Sequence, residues 1–269
     1  MRIGVSTRLL WEREQNIYVI LDFIRKHAES AEIWVMPPFF PYWRTSQMKG
    51  ELDRIREVLE VYGLSSTVHA PHHDLNLSSL NPRASKAAYE DVLKSLESAD
   101  IMGSETVTFH PGGVRYGRER GLEILKESLK RLDKKAEEYN ALLCLENLVD
   151  EHMYCRTSGE VLDVLEGLES IHITLDLAHA LVQEEDIGDY IGMLGDRIRH
   201  VHISDFKGLE HLHLPIGRGD LDFTDALKAL KKTGYKGVFS LEGVPQNPFT
   251  AIPEETEELR NILGEAGFK

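Results

Sequence analysis

Short apolar runs alternate with longer amphipathic segments along the whole chain. The short runs have the length of buried strands, whereas the longer segments repeat their apolar positions at the spacing of a helix. In the run that ends at Asp176, Ile173 and Leu175 share one face of a strand, and Thr174 and Asp176 share the other. This pattern predicts eight strands alternating with eight helices. Such an alternation requires parallel strands covered by helices.

The predicted elements fill the chain without a linker or a shift in composition. Strands are predicted at Ile3–Val5, Ile33–Met36, Ser65–His69, Thr106–His110, Ala141–Glu146, Ile171–Asp176, Ile198–Ser204 and Gly237–Glu242. Helices are predicted over about 16–27, 51–62, 82–103, 119–139, 157–168, 187–194, 223–232 and 253–263. Eight units within 269 residues favour a closed barrel over an open sheet, because such barrels often need about 250 residues. We therefore expect a single (β/α)8 TIM barrel that forms one domain over residues 1–269.

Charge and composition narrow the classes of partner. Forty-five acidic against thirty-one basic residues give a formal charge of −14, which argues against broad electrostatic binding of nucleic acid. DNA is not excluded by this charge, because bound divalent cations would add positive charge locally, where a phosphate would bind. No apolar run approaches the ~18 residues of a membrane span, and the chain enters its first strand at once, so a cytoplasmic protein without a membrane partner is expected. Cys144 and Cys155 are expected to be reduced thiols, and the absence of a glycine-rich phosphate loop predicts no nucleotide cofactor.

Six of the predicted strands carry, at or near the carboxyl end, a side chain that can bind a metal ion. The carboxyl ends of barrel strands form the face that holds the active site, so these side chains should meet. One such residue alone is most often a packed side chain or a helix cap, and only the repetition favours a metal centre. Imidazoles combined with carboxylates favour zinc, with manganese or cobalt also possible, and the size of the set indicates two or three ions. The candidate ligands are His69, His110, Glu146, Asp176, His179, His202, His211, His213 and Glu242.

Other polar residues near the strand ends have different expected roles. His200 shares a strand face with His202 and is expected to lie deeper, in the core. His72 and His73 lie in a loop and are candidates for substrate contact. Asp205 is interpreted as an acceptor behind a metal ligand, with a loop cap as the alternative.

The ordered motifs resemble those of the xylose isomerase-like TIM barrels and are most similar to endonuclease IV. They read HAPHHDLNLSS, FHPGG, LENL, LDLAHA, VHISD, HLHLPIGRGD and SLEG. The resemblance implies three zinc ions that cut DNA at abasic sites. It places His69, His110 and Glu146 on one ion. It places the bridging Glu146 with Asp176, His202 and Glu242 on a second ion, and His179 with His211 and His213 on a third. One departure is that His211 stands where the endonuclease motif has aspartate.

The sugar isomerases and epimerases of the same superfamily are the main alternative. The chain resembles them in the four residues that hold their single metal ion, here Glu146, Asp176, His202 and Glu242. The resemblance implies that the two glutamates also act as acid–base groups that move a proton beside a carbonyl. The arginine that epimerases carry after the histidine of strand seven is not evident here, since Phe206-Lys207-Gly208 occupies that region. A metal-binding barrel without catalytic activity is a third possibility. We expect an endonuclease IV-type hydrolase of a DNA phosphodiester or a phosphorylated sugar, with Glu146 and Glu242 as catalytic residues.

Overall fold

Eight parallel strands close into a barrel. The structure, a computed structural model, describes residues 1–37, 40–73, 75–183, 185–208 and 210–269, and only the backbone of residues 210–212. The barrel strands are β1 (Arg2–Ser6), β2 (Ser30–Trp34), β3 (Ser65–His69), β4 (Thr106–Phe109), β5 (Leu142–Glu146), β6 (Ile171–Asp176), β7 (Ile198–Ile203) and β10 (Val238–Leu241). Their order around the barrel is β1-β10-β7-β6-β5-β4-β3-β2. The predicted (β/α)8 TIM barrel is confirmed.

Helices follow the strands and cover the barrel from outside. They are α1 (Ile17–Ile24), α2 (Met48–Tyr62), α3 (Pro82–Met102), α4 (Arg118–Ala136), α5 (Ser158–Val164), α6 (Leu177–Leu181), α7 (Ile187–Leu194), α8 (Thr224–Lys232) and α9 (Pro248–Glu265). Helices α1 and α3 each begin after an asparagine N-cap. The side chains of Asn16 and Asn81 accept hydrogen bonds from the backbone N–H groups of Tyr18 and Arg83, the second residue of each helix. Within the described residues, no helix has both the length and the apolar character needed to cross a membrane.

The parallel register brings the ends of neighbouring strands to one level. Asp176 on β6 pairs with His202 on β7, and Glu146 on β5 pairs with Thr174 on β6. The hydroxyls of Thr108 and Thr174 lie 2.8 Å apart, although β4 and β6 are not neighbours. This contact crosses the barrel interior and shows which face of β6 points inward. Asp176 shares that face, since side chains alternate along a strand.

Among the differences between the predicted and observed elements, three concern strand β2 and the segments that follow β6 and β7. Strand β2 begins at Ser30 rather than Ile33 and ends at Trp34. Helix α6 follows Asp176 directly, where a loop was predicted. The segment after β7 is a hairpin of β8 (Asp205–Lys207) and β9 (Glu210–Leu214) rather than an irregular loop.

Asp205 anchors the connection that follows this hairpin. Its buried carboxylate accepts hydrogen bonds from the backbone N–H groups of Phe206, Gly217, Gly219 and Leu221, at 2.8 to 3.1 Å. A Cβ atom at Gly219 would lie 2.1 Å from the Phe206 carbonyl oxygen, so the close approach requires glycine there. Asp205 is therefore a loop cap. The interpretation of Asp205 as an acceptor behind a metal ligand is wrong, because its hydrogen bonds within the described residues come from the backbone of its own loop.

Candidate metal centre

Four side chains from four neighbouring strands meet at the carboxyl end of the barrel. Glu146 ends β5, Asp176 ends β6, His202 lies on β7 and Glu242 follows β10. Their candidate ligand atoms all lie within 4.8 Å of one another, and all four residues are buried. We call them the four-residue cluster.

The cluster has the chemistry of a divalent cation site. Three carboxylates buried around one imidazole repel one another unless a positive charge lies between them. Oε1 of Glu242 is buried and has no hydrogen-bond partner among the described residues. His202 Nδ1 lies 3.1 Å from Glu146 Oε1 and 3.3 Å from Glu242 Oε2, so three potential ligand atoms face one point. Oxygen donors with one nitrogen donor suit manganese, cobalt, magnesium or zinc.

The protonation equilibria of the cluster are strongly shifted. Burial by itself would lower the pKa of His202, but the surrounding carboxylates, Glu242 foremost, raise it well above its usual value. Burial would raise the pKa of Glu146, but the attraction of His202 and His110 lowers it well below its usual range. Burial raises the pKa of Glu242. The pKa values of the two glutamates are therefore shifted in opposite directions.

Glu32 lies behind His202 and was not among the predicted site residues. It is fully buried on β2, and its Oε1 lies 2.9 Å from His202 Nε2. Ser240 donates a hydrogen bond to its Oε2 at 2.6 Å, and His200 Nε2 lies 3.4 Å from the same oxygen. A carboxylate on the far nitrogen of a metal-binding histidine fixes the ring and its tautomer. His200 is buried in the barrel, as expected.

A group of histidines lies beside the cluster. His110 Nε2 is 2.9 Å and His69 Nε2 is 3.5 Å from Glu146 Oε2. The ring of His72 stacks on His110 at 4.3 Å between centroids. Candidate ligand atoms of these three histidines lie within 4.8 Å of one another. Burial lowers the pKa of His72 far below its usual value, so this ring is neutral.

The third predicted group is only partly assembled in the described residues. His179 Nδ1 lies 2.8 Å from the carbonyl oxygen of Asn147, and its backbone N–H donates to Asp176 Oδ1 at 2.9 Å. Asp176 is thus the N-cap of α6 as well as a member of the cluster. The rings of His179 and His213 are 5.8 Å apart. The side chain of His211 lies outside the described residues.

A cavity of about 280 Å³ adjoins the cluster. Its volume suits a small ligand. Glu146 and Glu242 are exposed to it, Leu148 and Met153 contribute apolar wall, and Trp34 closes one side. His69, His72, His73, His110, His179 and His213 complete most of its polar lining.

Comparison with known proteins finds relatives of similar sequence and fold. An uncharacterized protein of Methanocaldococcus jannaschii is 31% identical, over 97% of both chains. The D-psicose 3-epimerase of Ruminiclostridium cellulolyticum is 27% identical, over 86% of this chain and 80% of that protein. The crystal structure of a D-tagatose 3-epimerase-like protein superposes with a TM-score of 0.84 at 27% identity, covering 98% of this chain and 99% of that one.

The expected endonuclease IV-type hydrolase of a DNA phosphodiester or a phosphorylated sugar is wrong. The relatives above whose names give an activity are a D-psicose 3-epimerase and a D-tagatose 3-epimerase-like protein. A probable endonuclease 4 of Thermoplasma volcanium is a more distant match, 24% identical over 84% of this chain and 86% of that protein. The motifs misled because the resemblance assigns Glu146, Asp176, His202 and Glu242 to both activities. DNA is not supported as a partner, whereas the resemblance to the superfamily is confirmed. The family model described as xylose isomerase-like TIM barrel matches residues 21–263, and the chain therefore belongs to that family.

Proposed function

We propose that the protein is a metal-dependent sugar epimerase that inverts the carbon next to the carbonyl of a ketose. The observation that carries this proposal is the placement of Glu146 and Glu242 around one ligand atom, Nδ1 of His202, at the wall of a small cavity. Two carboxylates at one reacting carbon can remove a proton and return one. The epimerase relatives support a small sugar as the substrate.

One divalent ion is proposed for the four-residue cluster, held by Glu146, Asp176, His202 and Glu242. When bound, such an ion polarises the carbonyl of the sugar and makes the neighbouring C–H group more acidic. The fully buried position of Asp176 and the support of His202 by Glu32 suit a ligand set that is fixed before the sugar arrives.

The proton transfer follows from the two glutamates. One glutamate, ionised, takes the proton from the carbon next to the carbonyl, while the other is protonated. The C–H electron pair forms a carbon–carbon double bond as the π pair of the carbonyl moves onto its oxygen, leaving an enediolate. The other glutamate delivers a proton to the opposite face of that carbon, which restores the carbonyl and inverts the centre. His179 and His213, which line the cavity, are placed to contact sugar hydroxyls.

The test is conversion of ketoses by the manganese-loaded protein. D-fructose, D-tagatose and D-psicose would be incubated in D2O, together with ketoses that carry a terminal phosphate or carboxylate. Products and deuterium at the carbon next to the carbonyl would be followed by NMR. Glu146→Gln and Glu242→Gln should each lower turnover by about 10² or more, because the loss of an acid–base group has that effect.

Glu51→Gln is the matched control, since Glu51 is a buried carboxylate bound to Tyr18 on α1 and not to the cluster. It should turn over ketoses like the wild type. Absence of conversion of every ketose by a protein that holds its ion would refute the proposal, as would full activity in both site variants.

A further inference from the structure

A second cavity, of about 350 Å³, lies beside the one at the cluster. The two share three wall residues, Arg8, Trp34 and His73. The Trp34 ring also lies 4.9 Å from the ring of His69, measured between centroids, so it connects the side cavity to the centre of the site. A ligand with its reacting carbon at the cluster could therefore extend past this wall.

Arg8 is placed to bind a group at that boundary. It belongs to the single turn that follows β1, and its guanidinium lies over the Trp34 ring, 5.2 Å from the ring centroid. It forms no ion pair or hydrogen bond with any residue that the structure describes. A cation–π contact with the ring holds the guanidinium at this position without using its N–H groups, which can then bind a bidentate partner.

A second arginine and a buried N–H donor also belong to the lining of the side cavity. Arg13 has one hydrogen bond, to the carbonyl oxygen of Gln246 at 3.2 Å. Trp34 is 4% exposed, and its buried Nε1 N–H has no acceptor among the described residues. Glu12 is the one carboxylate in the described lining, and it is exposed to solvent. The cavity is thus locally cationic in a chain whose formal charge is −14.

We propose that this side cavity binds an oxyanion, a phosphate or carboxylate, at the end of the sugar remote from the reacting carbon. Arg8 would bind it directly, and Arg13 would add positive charge at the outer side. The inference rests on the proposed function, because it places the sugar's reacting carbon at the four-residue cluster. It deepens that function by naming an acidic sugar as the substrate class.

Calorimetry with ligands that cannot react separates this proposal from catalysis. D-glucitol, D-glucitol 6-phosphate and D-gluconate would be titrated into the metal-loaded wild type and into Arg8→Ala, Arg8→Lys and Arg115→Ala. Arg115 is the matched control, an exposed arginine of the loop after β4 that lines neither cavity.

The wild type should bind one of the two anionic ligands roughly 10- to 100-fold more tightly than D-glucitol, as expected for charge-assisted hydrogen bonds. Arg8→Ala should abolish this preference, Arg8→Lys should restore part of it, and Arg115→Ala should keep it. Whichever anion is preferred identifies phosphate or carboxylate.

Equal binding of all three ligands by the wild type would overturn the proposal, and so would an undiminished preference in Arg8→Ala. Binding does not require turnover. A preference that depends on Arg8 in a protein inactive on every ketose would therefore support the subsite while refuting the epimerase function.

Discussion

Glu32 offers the sharpest test of how the barrel prepares the metal centre. Its carboxylate lies 2.9 Å from His202 Nε2 and is completely buried. When Nε2 carries the proton for this hydrogen bond, the lone pair of Nδ1 faces Glu146 and Glu242, where the ion is proposed. Replacing Glu32 should therefore weaken metal binding although it is not itself a proposed ligand.

The magnitude depends on what the replacement retains. In Glu32→Gln the amide oxygen still accepts from His202 Nε2, and only the negative charge is lost. Glu32→Ala loses the acceptor as well and leaves a void. The hydroxyl of Ser240, which donates a hydrogen bond to Glu32 in the wild type, would then lose its acceptor. Changes to such outer residues typically cost 10- to 100-fold in metal affinity. We expect about tenfold for glutamine and about 100-fold for alanine, or about 1.4 and 2.7 kcal/mol.

Manganese affinity would be measured by competition with a chelator, at one pH, on variants whose circular dichroism matches the wild type. Glu51→Gln controls for loss of a buried carboxylate elsewhere, and Glu242→Gln shows the effect of changing a proposed ligand. Wild-type affinity in both Glu32 variants, together with weakened binding in Glu242→Gln, would refute the reasoning that Glu32 orients His202.

Two further predictions address stability and stoichiometry. Burial raises the pKa of Glu255 from 4.5 to about 7, so the native state holds an extra proton between these values and loses stability as pH rises through them. Glu255→Gln should therefore increase the free energy of unfolding by about 3 kcal/mol at pH 8.5 and leave it unchanged at pH 4; equal effects in urea titrations at both pH values would contradict this. Elemental analysis should find one divalent ion per chain in the wild type and in His213→Ala, and loss of an ion from the variant would contradict a single-ion site.

The residues at the strand ends could be predicted because side chains alternate between the two faces of a strand every two residues. His69, Glu146 and Asp176 each end a strand at the predicted residue. Once the barrel is closed, their positions at one edge follow from the parallel register. The same logic placed His202 and Glu242 beside them.

Glu32 was missed because the second strand was predicted to begin one residue after it. The signal was present, since a carboxylate between Ala31 and Ile33 lies inside an apolar run, where a charged residue needs a partner. That partner, His202, is 170 positions away in sequence. A pairing at such a separation follows from barrel closure and not from any local pattern.

The hairpin after β7 was missed for a different reason. Its strands are short. The backbone of the connection is held by Asp205, whose carboxylate accepts hydrogen bonds from N–H groups up to 16 positions away in sequence. The spacing of hydrophobic residues cannot predict hydrogen bonds between one carboxylate and the backbone of an irregular segment. The short helix α6 was not predicted either. Asp176 was interpreted as a metal ligand, whereas the structure shows that its side chain also caps this helix.

The choice between DNA and a sugar depends on residues outside the shared metal ligands. A DNA strand presents a row of phosphates, and binding it requires cationic groups spread along a surface. This chain has a formal charge of −14. At the site, the two arginines that lack ion pairs among the described residues, Arg8 and Arg13, face one side cavity of about 350 Å³. Such a placement suits a single oxyanion on a small molecule. In this proposal the four-residue cluster supplies the chemistry, and the two arginines beside it select the molecule that can use it.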